Sequence, residues 1–146
     1  MLYFGYASNM NLAQMAERLR RAVTGTVARL PGFRLVFNKP TGQDAHAYAN
    51  IVAEPSELVL GVVYEVSEAE LALLDGFEGG GYRRVTVRVE SGDDGFDAIA
   101  YVADPDRVRP GLVPSDEYLG RILTGAEQHG LPEDYVASIR HEAGRH

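Results

Sequence analysis

From Thr26 to Val66 the sequence offers four extended segments in a row, with no helical pattern between them. The pair Pro31-Gly32 separates Thr26–Leu30 from Phe33–Phe37, and residues 39–45 are polar and read as a loop. Pro55-Ser56 separates His46–Ala53 from Leu58–Val66. Strands that follow one another without a crossover helix pair antiparallel, because a parallel partner needs a long return connection. This run restricts the fold more than any other stretch.

The flanks complete the pattern. Leu2–Tyr6 is an apolar, aromatic-rich strand, too short to be a helix. A helix is predicted over 11–22, since Leu12, Met15, Ala16, Leu19 and Val23 share one face. Asn9 or Asn11 suits its start, and Arg18, Arg20 and Arg21 suit the negative pole at its end. Ser67 and Glu70 form a capping box, with Val66 and Leu71 as a hydrophobic staple, for a short helix that stops before Gly79-Gly80-Gly81. Tyr82–Glu90 and Phe96–Val102 read as a hairpin around the turn at 91–95. Ser115 caps a helix ended by Gly130, and Pro132 opens a last helix with Tyr135, Val136 and Ile139 inward. The predicted order is β-α-β-β-β-β-α-β-β and then two C-terminal helices, an α+β fold with a mixed sheet. Gly32, Gly42 and Gly61 are places where the sheet can bend or close.

The 146 residues fit one domain, with no repeat or linker. A formal charge of −7 argues against nucleic acid and against an anionic membrane surface as partners. There is no cysteine, which excludes disulfides, thiolate catalysis and Cys-type zinc sites. No basic region precedes the first apolar residues and no run approaches a membrane span, so a soluble, cytoplasmic protein is expected.

Glu78 is the leading candidate for chemistry. A Glu at a helix exit is ordinarily a solvated surface group. Here it gains nothing from the helix dipole, and Phe77 and three glycines beside it allow a ligand or backbone to come close. Half-burial would raise its proton affinity, as a general base that later acts as an acid requires. The turn after the first strand places backbone N–H groups around a small space, where an oxyanion can be held. Ser8 lacks a nucleophile elbow and an evident histidine base, so a capping or substrate-binding hydroxyl is favoured. His46, His129, His141 and His146 have no metal-ligand spacing, and no metal site is expected. Tyr82 and Tyr118 each begin an element, where pocket walls lie; Arg83 and Arg84 point to opposite faces, so at most one reaches a pocket.

Several stretches in order resemble one family. Tyr3-Phe4-Gly5-Tyr6-Ala7-Ser8-Asn9-Met10 is similar to the opening Tyr-Gly-Ser-Asn motif of the γ-glutamylcyclotransferase family, which includes the AIG2-like proteins. Gly61-Val62-Val63-Tyr64 resembles its central strand, Leu74–Gly79 with Tyr82 its catalytic-Glu segment, and Tyr101-Val102 the strand after its hairpin. Pro114–Tyr118, Gly125-Ala126 and Gly130–Tyr135 resemble the C-terminal helices of the glutathione-pathway branch. The resemblance implies a small closed barrel with peripheral helices. It implies release of 5-oxoproline from a γ-glutamyl amino acid or amine, without metal or cofactor. Glu78 falls on the catalytic acid/base. Gly5, Tyr6, Ala7, Ser8 and Asn9 fall on the glutamyl cradle, and Tyr82 and Tyr118 line the same cavity. The implied partner is a small γ-glutamyl substrate; oligomeric state is left open. Ala7 stands where the motif has glycine. A positive φ there would cost about 1 kcal/mol or more, whereas a negative φ would leave the methyl merely narrowing the pocket. A non-catalytic ligand-binding or regulatory domain of the same fold is the alternative.

Overall fold

The structure, a computed structural model, describes residues 1–42 and 45–144. Five strands close into a barrel in the order β1-β3-β2-β4-β5. The strands are β1 (Leu2–Gly5), β2 (Thr26–Pro40), β3 (Ala47–Glu65), β4 (Tyr82–Ser91) and β5 (Asp94–Ala103). Around them lie α1 (Leu12–Leu19), α2 (Glu68–Glu78), α3 (Asp116–Gln128) and α4 (Glu133–Glu142). All ladders are antiparallel except the closing one, where Tyr3 of β1 meets Ile99 of β5 in parallel. The mixed, closed α+β architecture expected from the sequence is therefore present. Among the described residues no helix is long and apolar enough to cross a membrane.

The four short strands read between residues 26 and 66 are two long ones. Pro31-Gly32 does not turn the chain; Gly32, at φ 85°, bends β2 within the strand. Pro31 pairs with Leu58 and Phe33 with Ala53, so residues 54–57 of β3 bulge across from the bend. The bend lets one hairpin curve around the barrel instead of splitting. β2 also runs on to Pro40, into the stretch read as loop. Residues 43 and 44 of that loop, like His146, lie outside the described residues.

β1 and β3 approach closely where the barrel closes. A Cβ on Gly61 would fall 2.6 Å from the Gly5 carbonyl oxygen and 2.7 Å from the Phe4 ring. By strand alternation Phe4 and Leu30 lie on one face of the sheet and Val62 and Tyr64 on the other; all are buried, and with Ile51, Met10, Met15, Leu71, Leu74 and Ile122 they belong to one core.

The helix ends follow local chemistry. Asn11, not Asn9, caps α1, accepting from the Gln14 amide at 3.1 Å. The helix stops at Leu19, short of the predicted Ala22, because Arg20 takes a left-handed conformation at φ 60° and turns the chain toward β2. Arg21 instead reaches Glu70 and the Glu65 carbonyl. Both bonds of the Ser67–Glu70 capping box form. α2 then ends on Glu78 itself, and Gly79, at φ 69°, releases the chain.

Candidate active site

The end of β1 and the start of α1 are joined by Tyr6, Ala7 and a single 3₁₀ turn, Ser8–Met10. This turn is anchored from below. Tyr64 donates its hydroxyl to the Asn9 carbonyl at 2.7 Å, and Met10 is fully buried. Gly125 of α3 packs so tightly on it that a Cβ there would lie 2.6 Å from the Asn11 nitrogen. Gly5 serves the same closure, since a Cβ would come within 3.3 Å of Asn9 Cβ. Among the described residues nothing accepts from the amides of Ala7 and Ser8, which precede the first turn bond at Met10. Ala7 has φ −132°, so alanine meets no left-handed penalty and its methyl simply forms part of the wall.

A cavity of about 120 Å³ lies over this turn. Tyr6, Ala7, Ser8, Asn9, Glu78, Tyr82 and Tyr118 all line it, so the structure brings together every expected site residue except Gly5, which stays in the strand beneath. Tyr82 donates to the Ala49 carbonyl at 2.6 Å, and the Ala49 amide donates to Tyr118 at 3.1 Å. Both tyrosines thus finish the edge of β3 where β1 is too short to pair with it. Tyr6 donates to the Tyr101 carbonyl at 2.5 Å, tying the turn to β5. Each hydroxyl is hydrogen-bonded to the backbone of a strand, Tyr118 as acceptor only, and burial raises the pKa of each.

Glu78 enters from the last position of α2. Its neighbour Asp75 fixes that end of the helix. Asp75 accepts from Arg84 at 2.6 Å and from the Tyr101 hydroxyl at 2.6 Å, and Arg84 holds its carboxyl below the usual range. Glu78 has no such cation bonded to it. Burial raises its pKa to about 7, with Arg18 opposing the rise and Asp75 adding to it. Among the described residues its one hydrogen-bond partner is Asn9, whose Nδ2 lies 3.5 Å from Oε1, at the limit of a hydrogen bond.

Asn9 is buried and fully used. Nδ2 donates to the Tyr3 hydroxyl at 2.8 Å, and Oδ1 accepts from Gln14 and Arg18, each at 3.0 Å. Two neighbouring donors on Oδ1 fix which way the amide faces. Ser8 Oγ accepts from Gln14 at 2.8 Å, and among the described residues no histidine lines the cavity, so Ser8 lacks the histidine base of a serine nucleophile. His129 instead meets the Met10 carbonyl at 2.9 Å on the far side of the turn. Arg83 and Arg84 both turn to surface ion pairs, and neither reaches the cavity. Among the described residues no cluster of three His, Asp or Glu could hold a metal ion.

Tyr3, Arg18, Tyr48, Phe77, Tyr101 and Arg121 also line the cavity and were not singled out as site residues. From sequence alone, Arg18 suits the negative pole of the helix. The available signal was spacing: Asn11, Gln14 and Arg18 are i, i+3 and i+7 on one helical face, and that face looks at the turn.

A closed mixed barrel, with one half-buried carboxylate facing a strand-to-helix turn in a tyrosine-walled cavity, defines a compact class of protein. The AIG2-like family pattern matches residues 58–139. γ-Glutamylcyclotransferase of Bos taurus is 33% identical, covering 94% of this chain and 76% of its own, and that of Homo sapiens is 30% identical, covering 95% and 77%. A solved γ-glutamyl cyclotransferase superposes with a TM-score of 0.84 at 29% identity, over 95% of this chain and 85% of its own. The chain belongs to the AIG2-like, γ-glutamylcyclotransferase family.

Proposed function

We propose that the chain cyclises γ-glutamyl amino acids or γ-glutamyl amines, releasing 5-oxoproline and a free amine, with Glu78 as the proton carrier. The observation that carries this reading is the Glu78 carboxyl, raised to about 7, in the same cavity as the unbonded amides of Ala7 and Ser8. The relatives named γ-glutamylcyclotransferase support the reaction type.

The chemistry needs few groups. The nucleophile is the substrate's own α-amine, so an intramolecular attack replaces a bimolecular encounter. At neutral pH that amine is protonated. Glu78 as carboxylate takes one proton and frees the nitrogen lone pair. The nitrogen attacks the γ-carbonyl, a C–N bond forms, and the carbonyl electrons move to oxygen. The Ala7 and Ser8 amides hold that oxyanion. Glu78 then protonates the leaving nitrogen, the old C–N bond breaks, and the carbonyl re-forms. The surplus proton on the ring nitrogen follows through Glu78 to the departing amine, so the carboxylate ends as it began. A group with a pKa near 7 both accepts and returns protons readily at neutral pH.

The test is a panel of γ-glutamyl dipeptides, γ-glutamyl alkylamines and Nε-γ-glutamyl-lysine, with products separated and weighed by mass spectrometry. Equal amounts of 5-oxoproline and free amine are expected from at least one member, and Ser8→Ala retains turnover. Glutamate as the product, lost with Ser8→Ala, would indicate hydrolysis. Saturable binding with no product would indicate a ligand-binding domain.

A further inference from the structure

We propose that Arg18 binds the α-carboxylate of the glutamyl unit, so that the cavity selects substrates whose glutamyl end is a free α-amino acid. The inference rests on the cyclotransfer reading and adds a recognition residue to it.

Arg18 projects from α1 into the cavity wall and is half-buried. Its Nη1 donates to Asn9 Oδ1, a neutral acceptor, and its guanidinium lies over the Phe77 ring at 4.8 Å. Among the described residues it forms no ion pair, and its other N–H groups have no protein acceptor. The cavity's other cation, Arg121, is already held by Glu117 one turn back on α3. A guanidinium offers five donors in a planar fork that matches a carboxylate. Only one of the five is used here.

Position decides which carboxylate it meets. Asn9 accepts from Arg18 through Oδ1 and reaches Glu78 through Nδ2. One amide therefore stands between a free cation and a free carboxylate. An α-amino acid carries an ammonium and a carboxylate on a single carbon. Glu78 suits the ammonium whose proton it removes, and Arg18 suits the carboxylate beside it. Asp75 is held by Arg84 and Tyr101, and Arg121 pairs with Glu117 at the surface and, unlike Arg18, makes no hydrogen bond to Asn9. Cyclisation consumes the ammonium and keeps the carboxylate, so Arg18 also holds the product.

The experiment pairs a change in the protein with a change in the substrate. Wild type, Arg18→Gln and Arg18→Lys are assayed on a γ-glutamyl dipeptide and on the same dipeptide with its glutamyl α-carboxylate converted to the amide. For wild type, amidation is expected to lower kcat/KM roughly 10–100-fold, chiefly through KM, as loss of a charge-assisted hydrogen bond does. Arg18→Gln is expected to lose a similar factor on the acid and to show little further loss on the amide. Arg18→Lys keeps part of the discrimination. If Arg18 only orders Asn9, Arg18→Gln slows both substrates alike and the wild-type ratio persists, which overturns the proposal. Absence of 5-oxoproline from wild type with every γ-glutamyl compound of the panel overturns the cyclotransfer reading, and this one with it. Turnover without discrimination overturns this one alone.

Discussion

At the scale of the residue, the account turns on where a single proton sits. Burial lifts Glu78 from its ordinary 4.5 to about 7. Between those values the folded chain holds a proton that the unfolded chain releases. Stability contributed by this group is therefore intact below the window and falls as pH rises through it. Above it the ionised side chain costs up to about 3 kcal/mol, less what solvent screens at the cavity mouth. Glu78→Gln is expected to raise stability to urea at pH 8, with the gain gone near pH 4; an unchanged or lowered stability at pH 8 would mean that the carboxyl is well solvated. Glu78, Tyr82 and Tyr118 are legible in the sequence, because helix exits and the starts of elements carry local signals, whereas Tyr6 and Asn9 stand out only through the resemblance of the opening motif. Arg18 is not legible, because its role arises only when α1, the turn and Phe77 meet in space. Nor could the sequence decide the φ of Ala7, which depends on how α3 presses the turn.

At the scale of the element, proline and glycine signal a change of direction without saying whether the chain reverses or only bends. Pro31-Gly32 and Pro55-Ser56 are bends within long paired strands, because the neighbouring ladder continues on both sides. Capping signals transferred better, since they involve only adjacent residues. Ser67→Ala removes the acceptor for the Glu70 amide and is expected to cost about 1 kcal/mol in denaturant unfolding. Arg20 is the one non-glycine residue at positive φ among those described. Arg20→Gly is expected to stabilise the chain by about 1 kcal/mol, because glycine adopts that conformation without a Cβ clash. Loss of stability there would point to contacts of the Arg20 side chain.

At the scale of the whole molecule, the site exists because three separate packings converge on one turn. The barrel closes under it at Gly61, α2 delivers Glu78 beside it, and α3 presses on it at Gly125. Gly125→Ala forces the backbone of Met10 and Asn11 to shift and is expected to cost about 1–3 kcal/mol. It is also expected to slow turnover, because the same contact positions the Ala7 and Ser8 amides; a loss of stability with full activity would detach the turn from catalysis. The central claim is that Glu78 carries the reaction's proton. The pH dependence of kcat/KM for 5-oxoproline release, in wild type and in Glu78→Gln, tests it most directly. Wild type is expected to gain activity as pH rises through about 7, and Glu78→Gln to be at least about 100-fold slower and without that rise. A folded Glu78→Gln with near wild-type rates and the same rise would contradict the account.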